Sequence, residues 1–377
     1  MEYILKHFDT ALLKFSAKED AADPEYTVTW VNENQKSLLP LDFEPTPEGI
    51  DRWARHRTIP KNRAFVHDFL SKCGLNLNRP MNIVSVCKGL SLNDCYWITT
   101  ADSDDSFAKV NLYENPISNV LASLVFTGYG SSIRSSLFSS PEFTTNGMLP
   151  KCWRRINGTI YLYKGGTSGA ANTGFEPYSE YYAAQIAEVM GVDAVSYNLS
   201  KWKETICSTC ELFTSLDFSY MPVGRIVRSG GFKAVRSYYE SLGDKFVHAL
   251  DDMILFDAVI CNTDRHFGNF GFLIDNHTNQ IAAPAPLFDH GNSLFNLGGR
   301  SAWESDASLD EYANTLVPCV YDSFIEEAKS VLTADHREKL RHLLNFRFKR
   351  HPRYNLPTQR LKMIEKQIQK RAKMLLD

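Results

Sequence analysis

Asn157-Gly158, set between the β-rich runs Cys152–Ile156 and Thr159–Lys164, dictates a tight hairpin. A two-residue type I′ turn needs positive φ at both central positions, and Asn-Gly meets that demand at low cost. A loop rich in Gly, Ser and Ala follows from Gly165 to Gly174. Helical spacing then runs from Tyr178 to Met190, with Tyr182, Ile186 and Val189 on one face and Gly191 as the stop. Two more strand-like runs, Ala194–Leu199 and Thr205–Thr214, complete a small antiparallel sheet carrying one helix.

The second half reads as helical. Asp244 opens an amphipathic segment whose apolar stripe is Phe246, Val247, Leu250, Met253, Ile254 and Val259. It leads into a polar loop, Asn262–Asn269, then a strand at Phe270–Ile274, a turn at Asp275–Asn279 and a return strand from Ile281. Further helices are expected at Tyr321–Leu332, Ala334–Phe348 and Thr358–Leu376, the last behind Pro357. The first 125 residues are less patterned. Thr27–Val31 and Asn82–Val86 read as strands, Asn62–Cys73 as a helix stopped by Gly74, and Asp102–Asp105 as a polar loop.

A chain of 377 residues outgrows one core. The pattern divides it into a 1–125 α/β region for partner or substrate recognition, a 126–213 sheet-and-helix unit and a 214–377 helical unit. A net charge of −3 argues against a surface built throughout for nucleic acid. Nucleic acid is expected only through a partner. The basic stretch from Arg337 to Lys373 reads as a solvated face or a dock for an acidic partner. No run reaches the roughly 18 apolar residues that span a bilayer, and the N-terminus lacks the apolar core of a secretory signal. Eight scattered cysteines suit reduced, buried thiols, so a cytoplasmic location is expected. Cys207 and Cys210 form a lone CxxC without a second ligand pair, which suits core thiols better than zinc.

The polar loop carries the chemistry. It reads Asn262-Thr-Asp264-Arg-His266-Phe-Gly-Asn269, and Phe288-Asp289-His290-Gly291 follows a hairpin later. In the phosphoryl-transfer template an aspartate takes the hydroxyl proton, while an asparagine five positions on and a second aspartate hold Mg²⁺ on the phosphates. Asp264 fits the first role, Asn269 and Asp289 the others; neutral and anionic oxygens are the hard donors Mg²⁺ takes. His266 either orients the loop through a ring N–H or joins His290 and the aspartates in a metal-dependent phosphohydrolase site.

Lys164 ends the hairpin and precedes a helix bearing Glu180, the order of a phosphate-contacting lysine and its glutamate brace. Glu176 and Glu188 are alternative braces. Two stretches compete to cradle phosphates. Gly165–Gly174 is glycine-rich but lacks the Gly-Lys-Ser/Thr ending of a P-loop. Thr144-Thr-Asn-Gly-Met-Leu-Pro-Lys151 precedes the hairpin and offers Gly147, backbone N–H groups and Lys151. Glu211-Leu-Phe213 closes the last strand of the small sheet and suits the edge of an adenine.

Through Asn262–Asn269 and Asp289–Gly291, and more loosely Lys164, Ser179-Glu180 and Glu211–Phe213, the chain resembles the HipA-like serine/threonine kinases. That family is bacterial, often part of toxin–antitoxin systems, and distantly related in fold to phosphoinositide kinases. The resemblance covers roughly residues 140–300. It implies an α+β, two-lobed kinase-like fold with a mostly helical C-lobe, ATP and Mg²⁺ as cofactors, a protein substrate and an antitoxin-like partner. It places Asp264 as catalytic aspartate, Asn269 and Asp289 at metal, and Lys164 at the phosphates. The chain departs from the family in two places. Thr144, Thr145 and Asn146 stand where the family's phosphate loop carries serine, the site of autophosphorylation, and Gly268 stands where a lysine is common. The competing expectation is a catalytically idle kinase-like module that holds nucleotide or a partner.

Overall fold

The computed structural model describes residues 1–18, 25–133, 139–169 and 173–377. Along the chain, β1 (Glu2–His7), β2 (Thr10–Lys18) and β3 (Glu25–Val31) precede α1 (Pro47–His56), α2 (Val66–Cys73) and α3 (Pro80–Cys87). Then come β4 (Tyr96–Thr100), α4 (Phe107–Val110), α5 (Asn119–Thr127), β5 (Lys151–Ile156), β6 (Thr159–Gly165) and α6 (Glu176–Met190). Next are β7 (Asn198–Trp202), β8 (Thr205–Glu211), β9 (Phe218–Pro222), α7 (Val223–Ile226), α8 (Gly231–Leu242) and α9 (Asp244–Ile260). The chain finishes with β10 (Gly271–Asp275), β11 (Gln280–Pro284), α10 (Asp306–Thr315), α11 (Phe324–Ser330), α12 (Ala334–Arg341) and α13 (Thr358–Leu376). The α+β class expected from the sequence is the class found.

The chain forms two compact units, each assembled from separated stretches. The first comprises Met1–Tyr163, Leu212–Met221 and Leu273–Ala282; the second comprises Lys164–Glu211, Pro222–Phe272 and Ala283–Asp377.

In the first unit β1 to β4 make an antiparallel sheet in the order β3-β2-β1-β4. Alternation along β1 sends Tyr3, Leu5 and His7 inward, and Tyr3 and Leu5 join a core with Phe15, Ile50, Trp53 and Ala54. Each such apolar side chain contributes about 1.5–3 kcal/mol by leaving water. α1 starts where Thr46 Oγ1 accepts the Gly49 N–H at 3.1 Å and Pro47 occupies the first helical turn. The Asn157-Gly158 turn has φ of 51° and 88°, as a type I′ hairpin requires. The turn between β10 and β11 is stitched into this unit. Asn279 Nδ2 donates to the Ser37 and Leu39 carbonyls, both at 2.7 Å, and Asn276 Nδ2 donates to Leu216 at 3.0 Å.

Asn82–Val86, expected as a strand, is the body of helix α3. The run is apolar but spaced as Pro80, Ile83, Val84, Cys87, all buried, and Pro80 begins the helix. α2 starts later than expected, at Val66, and stops as expected at Gly74, whose φ is 71°.

In the second unit β7 and β8 pair antiparallel, from Asn198↔Thr209 to Trp202↔Thr205. The strand expected from Ala194 begins at Asn198; Ala194 makes only an isolated parallel bridge with Leu287. On α6, Tyr182 and Ile186 are buried as expected, but Val189 is exposed. α9 is amphipathic only in its first half; from Asp252 to Ile260 every residue is buried, Asp257 included. α8 buries only Val235 and Tyr239 and was not anticipated. The Tyr321 helix shrinks to α11 because Ser323 caps it, accepting the Glu326 N–H at 3.3 Å. The Ala334 helix ends at Arg341. Part of the basic C-terminal stretch is used internally: Lys370 pairs with Asp310 at 2.7 Å, Lys366 with Asp306, and Arg371 Nε donates to the Ala258 carbonyl.

None of the eight cysteines is in a disulfide; Cys207 and Cys210 are both buried. Among the described residues no helix is long and apolar enough to cross a membrane.

Candidate active site

The buried end of α9 delivers the chain into the Asn262–Asn269 loop, within the second unit. Asn262 is fully buried, and its Oδ1 accepts the Asp264 N–H at 3.1 Å, which fixes where Asp264 leaves the helix. Asp264 Oδ2 accepts from Asn292 Nδ2 at 3.0 Å, and the Thr263 N–H bonds the Asn292 carbonyl at 3.1 Å. The loop bearing Asp264 and the segment after Asp289 are therefore tied together directly. Asn269 is buried, and its Nδ2 donates to the Asp264 carbonyl at 3.2 Å. With that nitrogen engaged, the amide oxygen is the atom Asn269 has to offer a cation. His266 is exposed, and its ring accepts the Gly268 N–H at Nδ1, 3.0 Å away. The ring thus stiffens the loop as an acceptor, which corrects the expected ring N–H donation.

Lys164 Nζ lies 2.6 Å from Glu180 Oε1 and 2.5 Å from Asp289 Oδ1. The first contact brings together the two residues linked by chain order. Burial pulls the ammonium down, but the Asp289 and Glu180 carboxylates outweigh it and hold Lys164 above its ordinary value. Glu180 is completely buried; burial pushes its carboxyl up, with Lys164 opposing. Its other oxygen accepts the His290 N–H at 3.0 Å. Asp289 sits at φ 57°, a left-handed conformation that aspartate tolerates better than most residues, and its N–H bonds the Tyr197 hydroxyl at 3.1 Å. The alternative braces do other things. Glu176 accepts from Thr167 Oγ1 at 2.6 Å, holding the start of the glycine-rich loop, and Glu188 is exposed. Ala170, Ala171 and Asn172 of that loop lie outside the described residues.

Sequence reasoning missed the residue that organises this framework. Arg265, 1% exposed, reaches Asp257 through Nε at 2.9 Å and through Nη2 at 3.1 Å. Its Nη1 donates to the Asn269 carbonyl at 3.1 Å and to that of Phe288, and Nη2 lies 2.9 Å from His290 Nδ1. One guanidinium thus touches both the Asn269 loop and the residues flanking Asp289. Burial and then Arg265 hold His290 well below its ordinary value, so its ring is neutral and accepts at Nδ1. A buried His290 turned to an arginine and an exposed His266 do not make the alternative hydrolase site. Among the described residues, the one group of three or more such donors within ligand reach lies elsewhere.

The 144–151 loop belongs to the first unit. Arg63, 2% exposed, donates through Nη1 to the carbonyls of Thr145, Asn146 and Gly147 at 3.5, 3.4 and 3.2 Å, and through Nη2 to Lys151 at 2.7 Å. Because C=O and N–H of a trans peptide point in opposite directions, three carbonyls gathered on one guanidinium turn the following N–H groups away from it. Gly147 has φ 95°, a conformation that favours glycine, and a Cβ there would displace the end of the Lys151 side chain. The Thr144 hydroxyl donates to Leu90 at 2.8 Å; the Thr145 hydroxyl donates to Pro141 at 2.7 Å and accepts from Trp153 at 2.9 Å. Both hydroxyls are committed internally.

Glu142, at the base of this loop, is completely buried; one oxygen accepts the Trp153 N–H at 2.8 Å and the other has no partner. Burial pushes its carboxyl up to about 8. A folded value above the unfolded one means the native state binds the proton more tightly, so stability falls as pH rises from about 4.5 to about 8. The expected loss over that window is on the order of a few kcal/mol. Glu142→Gln removes this term, and denaturant midpoints taken at about pH 6 and about pH 8 then draw together. Midpoints that diverge as much in the variant as in the parent rule out Glu142 as the source.

Glu211 is exposed at the end of β8, and the Phe213 ring packs edge-on to Tyr220 with centroids 5.6 Å apart. A cavity of about 380 Å³ lined by Phe232, Tyr321, Asp322, Glu326 and Glu327 lies in the second unit, and none of the candidate residues lines it.

No family model matches the chain. It is 25% identical over 133 residues to the serine/threonine-protein kinase CtkA of Helicobacter pylori, a match covering 31% of this chain. The chain spans only 40% of the length of that relative. The crystal structure of H. pylori CtkA, a proinflammatory kinase, superposes with a TM-score of 0.48 and 17% identity, covering 60% of this chain and 91% of that one. HipA of Shewanella oneidensis, solved with HipB and operator DNA, superposes with a TM-score of 0.52 and 13% identity over 98% of this chain and 96% of that one. The near full-length match to HipA shows the fold, which is the one the sequence resemblance implied.

Proposed function

We propose that this chain, which has the HipA-like kinase fold, is an ATP- and Mg²⁺-dependent kinase that transfers the γ-phosphoryl group to a Ser or Thr hydroxyl of a protein. The observation that carries the reading is Lys164, buried and charged between Glu180 at 2.6 Å and Asp289 at 2.5 Å. An ammonium so placed is fixed before a nucleotide arrives, which is how charge stabilises phosphoryl transfer without reorganisation. Asp264, set on a rigid loop and oriented by Asn292, takes the proton of the attacking hydroxyl. The Asn269 amide oxygen and the Asp289 carboxylate are the hard donors that would hold Mg²⁺, which neutralises phosphate charge when bound. Gly147 and Lys151 are kept as proposed phosphate contacts, and the Glu211–Phe213 backbone as the proposed adenine edge. Residues 1–125 are proposed to recognise a substrate or an antitoxin-like partner, in a cytoplasmic setting.

Incubation with γ-labelled ATP and candidate acceptor proteins tests this. Mg²⁺-dependent, acid-stable label on Ser or Thr supports it; nucleotide binding without label supports an idle module, and free phosphate alone a hydrolase. Lys164→Met is expected to lower kcat/KM for ATP by about 10²–10³-fold, measured by steady-state transfer. Transfer that survives unchanged removes Lys164 from the phosphates.

A further inference from the structure

Away from the candidate active site, α9 and α12 meet at four side chains whose chemistry the kinase reading does not use. His248 and Asp252 stand one turn apart on α9, and Asp335 and His336 open α12. The ligand atoms of His248, Asp335 and His336 all lie within 4.8 Å of one another. Asp252 adds a fourth donor, with Oδ2 3.5 Å from His248 Nε2 and Oδ1 3.4 Å from His336 Nε2. Asp335 Oδ2 is 3.8 Å from His248 Nε2. Tetrahedral coordination at usual zinc bond lengths sets neighbouring donors about 3.3 Å apart, so little movement is needed.

His336 supplies the independent sign. Its ring is 0% exposed, and Nε2 has no hydrogen-bond partner. Nδ1 accepts the Thr333 N–H at 3.2 Å, closing the capping box that starts α12, and lies 3.0 Å from the Val331 carbonyl. Nε2 is thus the ring atom turned toward the cluster, 3.4 Å from an Asp252 oxygen. An ion that displaced the proton at Nε2 would bond the ring and the carboxylate together.

One cation is already close. Lys339 Nζ lies 2.6 Å from Asp252 Oδ1 and 3.0 Å from Asp335 Oδ2. It is a donor engaged by the two carboxylates. Its flexible four-carbon stem lets it turn outward when a better partner for all four groups arrives.

We propose that His248, Asp252, Asp335 and His336 form a binding site for one divalent transition-metal ion of the zinc class, with Lys339 as the resident competitor. Two imidazoles and two carboxylates suit zinc, cobalt and nickel, not magnesium or calcium. The bound ion would clamp α12 to α9, the helix that ends at the Asp264 loop.

The test uses the full chain, stripped with chelator and then titrated with Co²⁺ and separately with Zn²⁺. One equivalent of Co²⁺ is expected to give the intense visible absorption of four-coordinate cobalt, bleached by Zn²⁺. His248→Ala and Asp335→Asn, both at exposed positions, are each expected to weaken binding by about 10-fold or more. Lys339→Gln is expected to tighten it several-fold, whereas a purely structural salt bridge predicts no such gain. Only weak, octahedral cobalt absorption, or affinities that His248→Ala leaves unchanged, overturns the site. So does weaker binding in Lys339→Gln. None of these readouts depends on kinase activity.

Discussion

Asp264→Asn is expected to lower the rate of the proposed phosphoryl transfer by about 10²–10⁴-fold, the range of a lost general base. The substitution keeps size and an acceptor oxygen for Asn292, whose Nδ2 lies 3.0 Å from the present carboxylate. The Asn262 contact to the Asp264 backbone is untouched, because it involves the main-chain N–H. Thermal stability and ATP affinity are therefore expected to stay close to those of the parent, with the loss confined to kcat. Steady-state transfer assays and nucleotide titration, run side by side, make the check. A rate within a few-fold of the parent at full ATP occupancy would mean that another group takes the hydroxyl proton.

Arg265→Ala destabilises the fold by about 3–5 kcal/mol, the cost of leaving a buried carboxylate without its partner. Asp257 is 0% exposed and has Arg265 as its charge partner, with Asn262 Nδ2 adding one bond at 3.2 Å. Burial already pushes the Asp257 carboxyl up against the pull of Arg265, so removal of the guanidinium drives it toward its neutral form. Arg265→Lys recovers little, since one ammonium cannot reproduce a fork that serves Asp257, Asn269, Phe288 and His290 together. Pairing Arg265→Met with Asp257→Leu removes both charges and is expected to recover much of the loss while still abolishing transfer. Denaturant midpoints of the three variants decide the matter. A loss below about 1 kcal/mol in Arg265→Ala would place the Asp257 charge in water and not in the core.

What the sequence disclosed and what it hid follow from range. Asp264, Asn269 and Asp289 stand out because their chemistry is packed into two short segments whose spacing is itself informative. Lys164 and Glu180 could be joined because a strand, a loop and a helix in that order bring them close. Arg265 looked like an ordinary loop arginine. Its meaning depends on Asp257 one helical end earlier and on carbonyls of Asn269 and Phe288, which no side-chain pattern reports. Asn292 was passed over for the same reason, and Arg63 acts on a loop more than 80 positions further on. The misread helix at Pro80–Cys87 has another cause: a short apolar run fits strand and helix equally, and the proline at its start was the deciding mark.

The first compact unit takes its last stretch from Leu273–Ala282, after about half of the second has been laid down. A chain emerging from the ribosome therefore cannot finish its first unit until residue 282 has been added. No single cut of the chain liberates either unit intact. A gene fusion that swapped the first unit at one junction would sever the strands that complete it.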